Sequence, residues 1–188
     1  MTTNPETRQN PSQPVIETLR WQFQLTWKLA SGWTLPNLTT HTCLWEPAPG
    51  CWSVRLAPDG SWRPDWAEPE PDPAPPVTIG WITWQIIWWW AGIQSAIRGQ
   101  TPAAYHEVPW PGSADAVLER LDALAGQWAD LLDSLTDADL EKPLAYPWPD
   151  PRPLRLSLAW VNSELIKNIA EIGTIRHIYT ASHPSSRD

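Results

Sequence analysis

Two apolar segments, residues 77–90 and residues 158–173, constrain the fold of this chain most strongly. In both, large apolar residues recur at intervals of three and four, the spacing of one face of an α-helix. The first segment has no charged residue, but Gln85 lies at its middle. It is also shorter than the stretch of about 20 residues that a bilayer requires. It therefore predicts a buried helix and not a membrane span.

Four amphipathic helices are predicted, at about residues 15–33, 77–98, 114–135 and 154–181. The residues predicted to face inward on the first of them are Val15, Leu19, Gln22, Phe23, Thr26, Leu29 and Trp33. Ser113 is a predicted N-cap of the third helix, and Pro153 suits the first turn of the fourth. Helices with this spacing pack nearly antiparallel, so the predicted fold class is all-α, a four-helix bundle.

The 188 residues suit a single domain. Residues 1–14 are predicted to be a disordered N-terminal tail and residues 182–188 a C-terminal tail, on either side of a bundle formed by residues 15–181. The connection between the first two helices, residues 36–76, is rich in Trp and Pro and shows no sustained period. Because a loop of that length is unusual, it suggests either disorder or a functional flap. Packing of this flap on the bundle is favoured by Trp45, Trp52, Trp62 and Trp66.

The composition excludes several classes of partner and site. A net charge of −8 argues against a nucleic acid or an anionic membrane, since both attract basic patches. The N-terminus has no basic-then-apolar signal pattern, so a cytoplasmic location is expected. Cys43 and Cys51 fit no zinc motif and are expected to be free thiols, with a regulatory disulfide or a reactive Cys51 as alternatives.

Polar residues interrupt the apolar seams at three places. Asn168 lies inside the seam of the last helix, Glu164 lies one turn before it, and Gln85 lies beside the seam of the second helix. An unsatisfied buried amide costs about 1–3 kcal/mol, so the three side chains are predicted to form one hydrogen-bonded cluster. An Asn in a seam can instead serve only to fix helix register, and that alternative stays open. Glu171 and Arg176 are predicted to be ordinary surface charges.

Three stretches carry a family resemblance. Residues 80–86 read Gly-Trp-Ile-Thr-Trp-Gln-Ile, residues 164–171 read Glu-Leu-Ile-Lys-Asn-Ile-Ala-Glu, and residues 45–55 read Trp-Glu-Pro-Ala-Pro-Gly-Cys-Trp-Ser-Val-Arg. They resemble motifs of the DinB/YfiT-like superfamily, the last of them in an actinobacterial-type branch. In that family the first stretch reads Gly-Trp-x-x-Trp-His-Ile, and the second contains His-x-x-x-His. The resemblance covers roughly residues 19–179 and implies a four-helix bundle with a long loop after its first helix.

The resemblance also implies a metal site whose ligands are replaced here. Family members usually hold a divalent metal with three histidines, and the matching positions are Gln85, Glu164 and Asn168. Carboxamides bind nickel, zinc or iron weakly, so these residues would at best hold magnesium or calcium loosely. No cofactor is therefore expected beyond such a weakly held cation. The histidines of the chain, predicted to face solvent, are His41, His106, His177 and His183.

Two functions follow as hypotheses. The first is a small-molecule-binding or structural protein without metal catalysis, with a pocket formed by Gln85, Trp89, Glu164, Asn168 and Trp52. The second is an enzyme, because active relatives are metal-dependent S-transferases or isomerases that use thiols of the mycothiol or bacillithiol type. In such an enzyme Glu164 is the candidate catalytic residue, acting as a general base. The ligand is an unknown small molecule, with a low-molecular-weight thiol as one candidate, and a homodimer through Trp-rich helix faces is compatible with the first hypothesis.

Overall fold

The computed structural model describes residues 14–184, so residues 1–13 and 185–188 of the predicted tails lie outside the described part. The helices are α1 (Val15–Leu29), α2 (Thr40–Leu44), α3 (Ile79–Ile97), α4 (Ala114–Ser134) and α5 (Leu154–Ser182). A π-helical turn, Ala30–Thr34, extends α1, and 3-10 turns lie at Tyr105–Glu107 and Asp139–Glu141. The antiparallel strand pairs are β1 (Val54–Leu56) with β2 (Trp62–Pro64), and β3 (Pro143–Leu144) with β4 (Arg152–Pro153). The prediction of a mostly helical chain is thus confirmed.

The four long helices pack so that α1 and α3 each contact both α4 and α5. Asn162 of α5 donates to the carbonyl of Leu19, and Arg176 of α5 donates to the carbonyl of Thr34, so α1 and α5 run in the same direction. The long connection after α1 leads to α3, which runs antiparallel to α5 and therefore to α1. No helix among residues 14–184 is both long and apolar enough to cross a membrane.

Of the two predicted helix starts, the N-cap of α4 is confirmed, and the proline predicted inside α5 lies one position before it. Ser113 caps α4 as predicted, since its hydroxyl accepts a hydrogen bond from the amide of Ala116. Pro153 lies just before α5 and not in its first turn. Its nitrogen carries no hydrogen, so Pro153 itself adds no unsatisfied backbone donor at the helix entrance.

The predicted inward face of α1 is wrong at four of its seven positions, because Val15, Gln22, Leu29 and Trp33 are all exposed. Val15, Leu29 and Trp33 are 49%, 45% and 78% exposed. The buried face consists of Ile16, Leu19, Phe23, Thr26 and Ala30. Both sides of this helix carry apolar residues at helical spacing, so periodicity alone cannot choose the side that faces the core. The consequence is an apolar row left on the surface.

The flap, residues 36–76, contains α2 and the β1–β2 hairpin, elements too short to produce a visible period in the sequence. The middle of the flap is held at the start of α3, where the amide of Trp52 donates to the carbonyl of Pro76 and the amide of Thr78 donates to the carbonyl of Trp52. Arg55 crosses the flap with ion pairs to Glu46 (2.7 Å) and Asp65 (2.9 Å). The four predicted flap tryptophans all pack on the core. The flap is therefore a packed layer of the protein.

Close packing of this layer predicts opposite effects of one substitution at two helical glycines. An added Cβ at Gly80 of α3 would lie 2.9 Å from Val54 Cγ2 and 3.0 Å from the Cys43 carbonyl oxygen, whereas none would meet a neighbour within 4 Å at Gly126 of α4. We expect Gly80→Ala to lower the free energy of unfolding by about 1–3 kcal/mol through overpacking. Gly126→Ala should raise it by about 0.5–1 kcal/mol through helix propensity. Urea unfolding followed by circular dichroism measures both, and equal signs would contradict the packing described.

Candidate functional site

Gln85 of α3 and Asn168 of α5 meet across the contact between these helices. The Asn168 Nδ2 donates a hydrogen bond to Gln85 Oε1 at 3.1 Å. Asn168 is fully buried, whereas Gln85 is half-buried. The Asn168 Oδ1 is buried without a hydrogen-bond partner among the described residues. One acceptor of this amide pair is therefore left unsatisfied.

Glu164 lies one turn before Asn168 on α5, and its side chain is 25% exposed. Its carboxylate forms an ion pair of 2.5 Å with Lys167 on the same helix. The structure records no hydrogen bond from Glu164 to Gln85 or to Asn168. Of the three residues predicted to converge, the structure thus brings two into direct contact and places the third beside them.

Two tryptophans extend this contact along the helices. Trp89 lies one turn after Gln85 on α3, and Trp160 lies one turn before Glu164 on α5. Their ring centroids are 5.4 Å apart with an interplanar angle of 65°. Trp89 is buried and Trp160 is half-buried. Glu164 therefore lies between the Trp89–Trp160 pair and the Gln85–Asn168 pair. The order of these two contacts shows that α3 and α5 run antiparallel.

Trp52, the flap residue predicted to line the pocket, packs beside the first turn of α3. Its ring is 5.6 Å from Trp81 and stacks at 6.0 Å on Trp66. Trp81 is one turn before Gln85 on α3. The contact between Trp52 and this helix is therefore made through Trp81, one turn away from Gln85. No contact between Trp52 and the amide pair is recorded.

Glu171 is a half-buried carboxylate that the sequence analysis assigned to the ordinary surface. Burial raises the pKa of Glu171; of the two neighbouring charges, Lys167 lowers that pKa and Glu164 raises it. Arg176, its expected companion, instead donates to the carbonyls of Trp33 and Thr34. The signal that could have found Glu171 is its spacing, because it is three residues after Asn168 and seven after Glu164, on one face of α5.

The other candidate residues lie apart from this contact. All four histidines, His41, His106, His177 and His183, are exposed as predicted. The Nδ1 of His41 is 2.9 Å from the Tyr179 hydroxyl, at the C-terminal end of α5. None of the four therefore takes part in the contact between α3 and α5.

The two cysteines are buried and free. Burial raises the pKa of Cys43 to about 12, so its sulfur remains a thiol at neutral pH and not the reactive thiolate. The Cys51 thiol donates to the carbonyl of Ala48 at 2.9 Å. Both side chains thus serve the packing of the flap.

The side chains at the family's metal positions do not fit a transition metal. No group of three or more His, Cys, Asp or Glu residues within the described range is placed to hold an ion. The Gln85 carbonyl oxygen already accepts from Asn168, and the Glu164 carboxylate already pairs with Lys167. Carboxamide oxygens are also weak ligands for nickel, zinc and iron.

One groove lies elsewhere on the protein. It has a volume of about 580 Å³ and runs between Val108–Pro111 and α4. Its charged residues, Glu107, Glu119 and Arg120, are all exposed. None of the better-formed grooves among the described residues is lined by Gln85, Glu164 or Asn168, so the contact between α3 and α5 is a candidate for its convergent polar groups and not for its volume.

The fold and this contact define a mostly helical protein with a polar cluster between two antiparallel helices. The chain belongs to the DinB superfamily, whose family model matches residues 22–172. The matched range contains α3 and most of α5, including Gln85, Glu164 and Asn168. No curated protein and no solved structure matches the chain significantly.

Proposed function

We propose that this chain is a four-helix-bundle member of the DinB superfamily that binds a small organic molecule and has no metal catalysis. The binding site is the α3–α5 site, formed by Gln85, Trp89, Trp160, Glu164, Asn168 and Glu171. The observation that carries the proposal is the buried Asn168 Oδ1, which lacks a partner beside side chains that remain half-exposed. A ligand that donates to this cluster would satisfy an acceptor that the protein leaves unpaired.

The cluster selects a class of ligand because it is rich in acceptors. Glu164 and Glu171 contribute two carboxylates and Asn168 contributes the unpaired carbonyl, whereas Lys167 is the cation that compensates them. Half-buried Trp160 adds an aromatic ring, which attracts cations. The complementary ligand carries an amine or another N–H donor next to an apolar body, and a low-molecular-weight thiol with an amino group is one such molecule.

The catalytic alternatives draw less support from these residues. A metal-activated thiol needs strong ligands, and the two amides bond to each other. The general-base hypothesis assumes a buried Glu164, but that side chain keeps a quarter of its surface exposed and pairs with Lys167. Recognition without metal chemistry therefore accounts best for the side chains present.

Elemental mass spectrometry and thermal unfolding test the proposal. On untagged protein purified without chelators and dialysed, we expect no stoichiometric nickel, zinc or iron. A panel of amines should raise the unfolding temperature, and carboxylic acids of matched carbon skeleton should not.

Glu164→Gln should weaken amine binding about tenfold or more, since a charge-assisted hydrogen bond is lost. Affinity should also fall as the pH decreases through the raised pKa of Glu171, because protonation removes that negative charge.

Glu119→Gln is the matched control, because Glu119 is an exposed carboxylate on α4, away from the α3–α5 site. It should bind amines as the unmodified chain does. Stoichiometric transition metal would overturn the proposal and make the thiol transferase the leading function. Equal stabilisation by acids and amines, or equal loss in both variants, would show that the cluster does not select the ligand.

A further inference from the structure

An apolar row runs along the outside of α1. Trp21, Leu25, Leu29 and Trp33 are spaced four residues apart and are 60%, 42%, 45% and 78% exposed. The row continues from α1 into the π-helical turn Ala30–Thr34, where Trp33 lies in a groove with Gly173 of α5. We name these four residues the apolar stripe. Large aromatic residues this exposed are unusual on a protein surface.

Helix α5 provides a floor beside the stripe that includes the small residues Ser163, Ala170 and Gly173. Trp21 and Leu25 share a groove with Ser163 and Ile166 of α5. Further along, Trp33 shares a groove with Gly173 and His177. Exposed Ala170 lies between these positions on α5. The stripe and this floor form one continuous face, because α1 and α5 run in the same direction.

The order of residues in the stripe is the same from either end: Trp, Leu, Leu, Trp. A two-fold axis at its centre would place Trp21 against Trp33 of a second copy and Leu25 against Leu29. An isologous interface requires such self-complementarity, since one patch must meet itself. The stripe therefore fits a second copy of this chain in an antiparallel arrangement.

Charge favours the same arrangement. The four residues of the stripe and the floor positions Ser163, Ile166, Ala170 and Gly173 are uncharged, although the chain carries a net charge of −8. The charged residues within this span, Lys28 of α1 and Glu164, Lys167 and Glu171 of α5, lie at helical positions beside this face. Two copies repel each other over an acidic surface, so an uncharged face is where they can approach closely.

The exposed apolar area supplies part of what a dimer needs. Trp21 and Trp33 together expose roughly 300 Å², given about 150–250 Å² for each buried Trp. With Leu25, Leu29 and Ile166, the patch reaches roughly 500 Å², in the upper range for the largest patch on a monomer. A specific interface buries about 800 Å² per partner, and the small residues of α5 supply surface toward that value.

We propose that two copies of this chain associate through the face formed by the stripe and the neighbouring surface of α5, with their α1 helices antiparallel. This inference is independent of the ligand site, which lies between α3 and α5. Sedimentation velocity of the full chain between about 1 and 100 μM should show the sedimentation coefficient of a dimer within this concentration range.

Charge substitutions in the stripe test the interface. Trp21→Glu and Trp33→Glu should each weaken association by about 100-fold or more, because each buries an unpaired carboxylate. Leu56→Glu is the matched control, since Leu56 is 61% exposed on the flap hairpin, outside the stripe. Circular dichroism should show the same helix content in all three. A monomer at 100 μM, or equal weakening by Leu56→Glu, would overturn the proposal.

Cross-linking tests the antiparallel arrangement. A mixture of Trp21→Cys and Trp33→Cys chains, treated with a short bis-maleimide, should give the mixed product in preference to either homodimer. The native Cys43 and Cys51 are buried and provide the background reaction of the unmodified chain. Preferential cross-linking of Trp21→Cys to itself would indicate parallel helices and contradict the palindromic pairing.

Discussion

Trp90→Ala is expected to lower the free energy of unfolding by about 3–5 kcal/mol, the usual cost of removing a large aromatic side chain from a core. Trp90 is fully buried on α3. Its ring centroid lies 5.6 Å from Trp27 and 6.0 Å from Phe23 of α1, and 6.5 Å from Trp128 of α4. The substitution opens a cavity where three helices meet. Denaturant unfolding at one fixed, low protein concentration measures it, because association would add to the apparent stability.

Trp90→Phe separates the volume of this ring from its polar group. The Trp90 Nε1 is buried and has no hydrogen-bond partner among the described residues. Phenylalanine keeps the aromatic contacts with Phe23, Trp27 and Trp128 and removes the unpaired donor, which costs about 1–3 kcal/mol where it stands. We expect Trp90→Phe to cost less than half as much as Trp90→Ala. Equal costs for the two substitutions would show that the packing described here is not what stabilises the three-helix contact.

The sequence predicts the helices better than it predicts their faces. The long helices end within two residues of their predicted bounds, except that α1 passes into a π-helical turn. In α5 the seam that contains Asn168 is buried from Leu158 to Ile175. In α1, Leu25 and Leu29 compete with Leu19 and Phe23 for the core. Only contacts from distant parts of the chain, such as Asn162 to Leu19, decide that competition.

Some contacts of the candidate site could likewise be predicted from the sequence, and others could not. The contact between Gln85 and Asn168 could be predicted because an amide inside an apolar seam needs a partner on the facing helix. The pairing of Glu164 with Lys167 could not, since helical spacing offers each surface charge several partners. Trp160 was not identified from the sequence, because its place in the site depends on its contact with Trp89, which lies 71 positions earlier in the chain.

The chain carrying Gln85→His, Glu164→His and Asn168→His together is expected to gain a site for zinc or nickel. Asn168 already contacts Gln85 across the helices, and Glu164 is one turn away on the same face as Asn168. Three imidazoles at these positions would provide the strong neutral ligands that the amides and the carboxylate lack. We expect one metal per chain with a Kd of about 1 μM or tighter, since structural zinc sites bind with about 10–16 kcal/mol. Elemental mass spectrometry and calorimetry at neutral pH measure the gain.

The matched control keeps two of the histidines and changes the third position to alanine, as Gln85→Ala with Glu164→His and Asn168→His. Two imidazoles four residues apart on one helix should hold the metal much more weakly than three, because the ligand from α3 is missing. Circular dichroism must show that both variants are folded, since Asn168 is fully buried and a larger ring there strains the core. A folded triple variant without metal would mean that α3 and α5 do not present these positions to a common point. Equal affinity of the two variants would place the metal on α5 alone and contradict the proposed α3–α5 site.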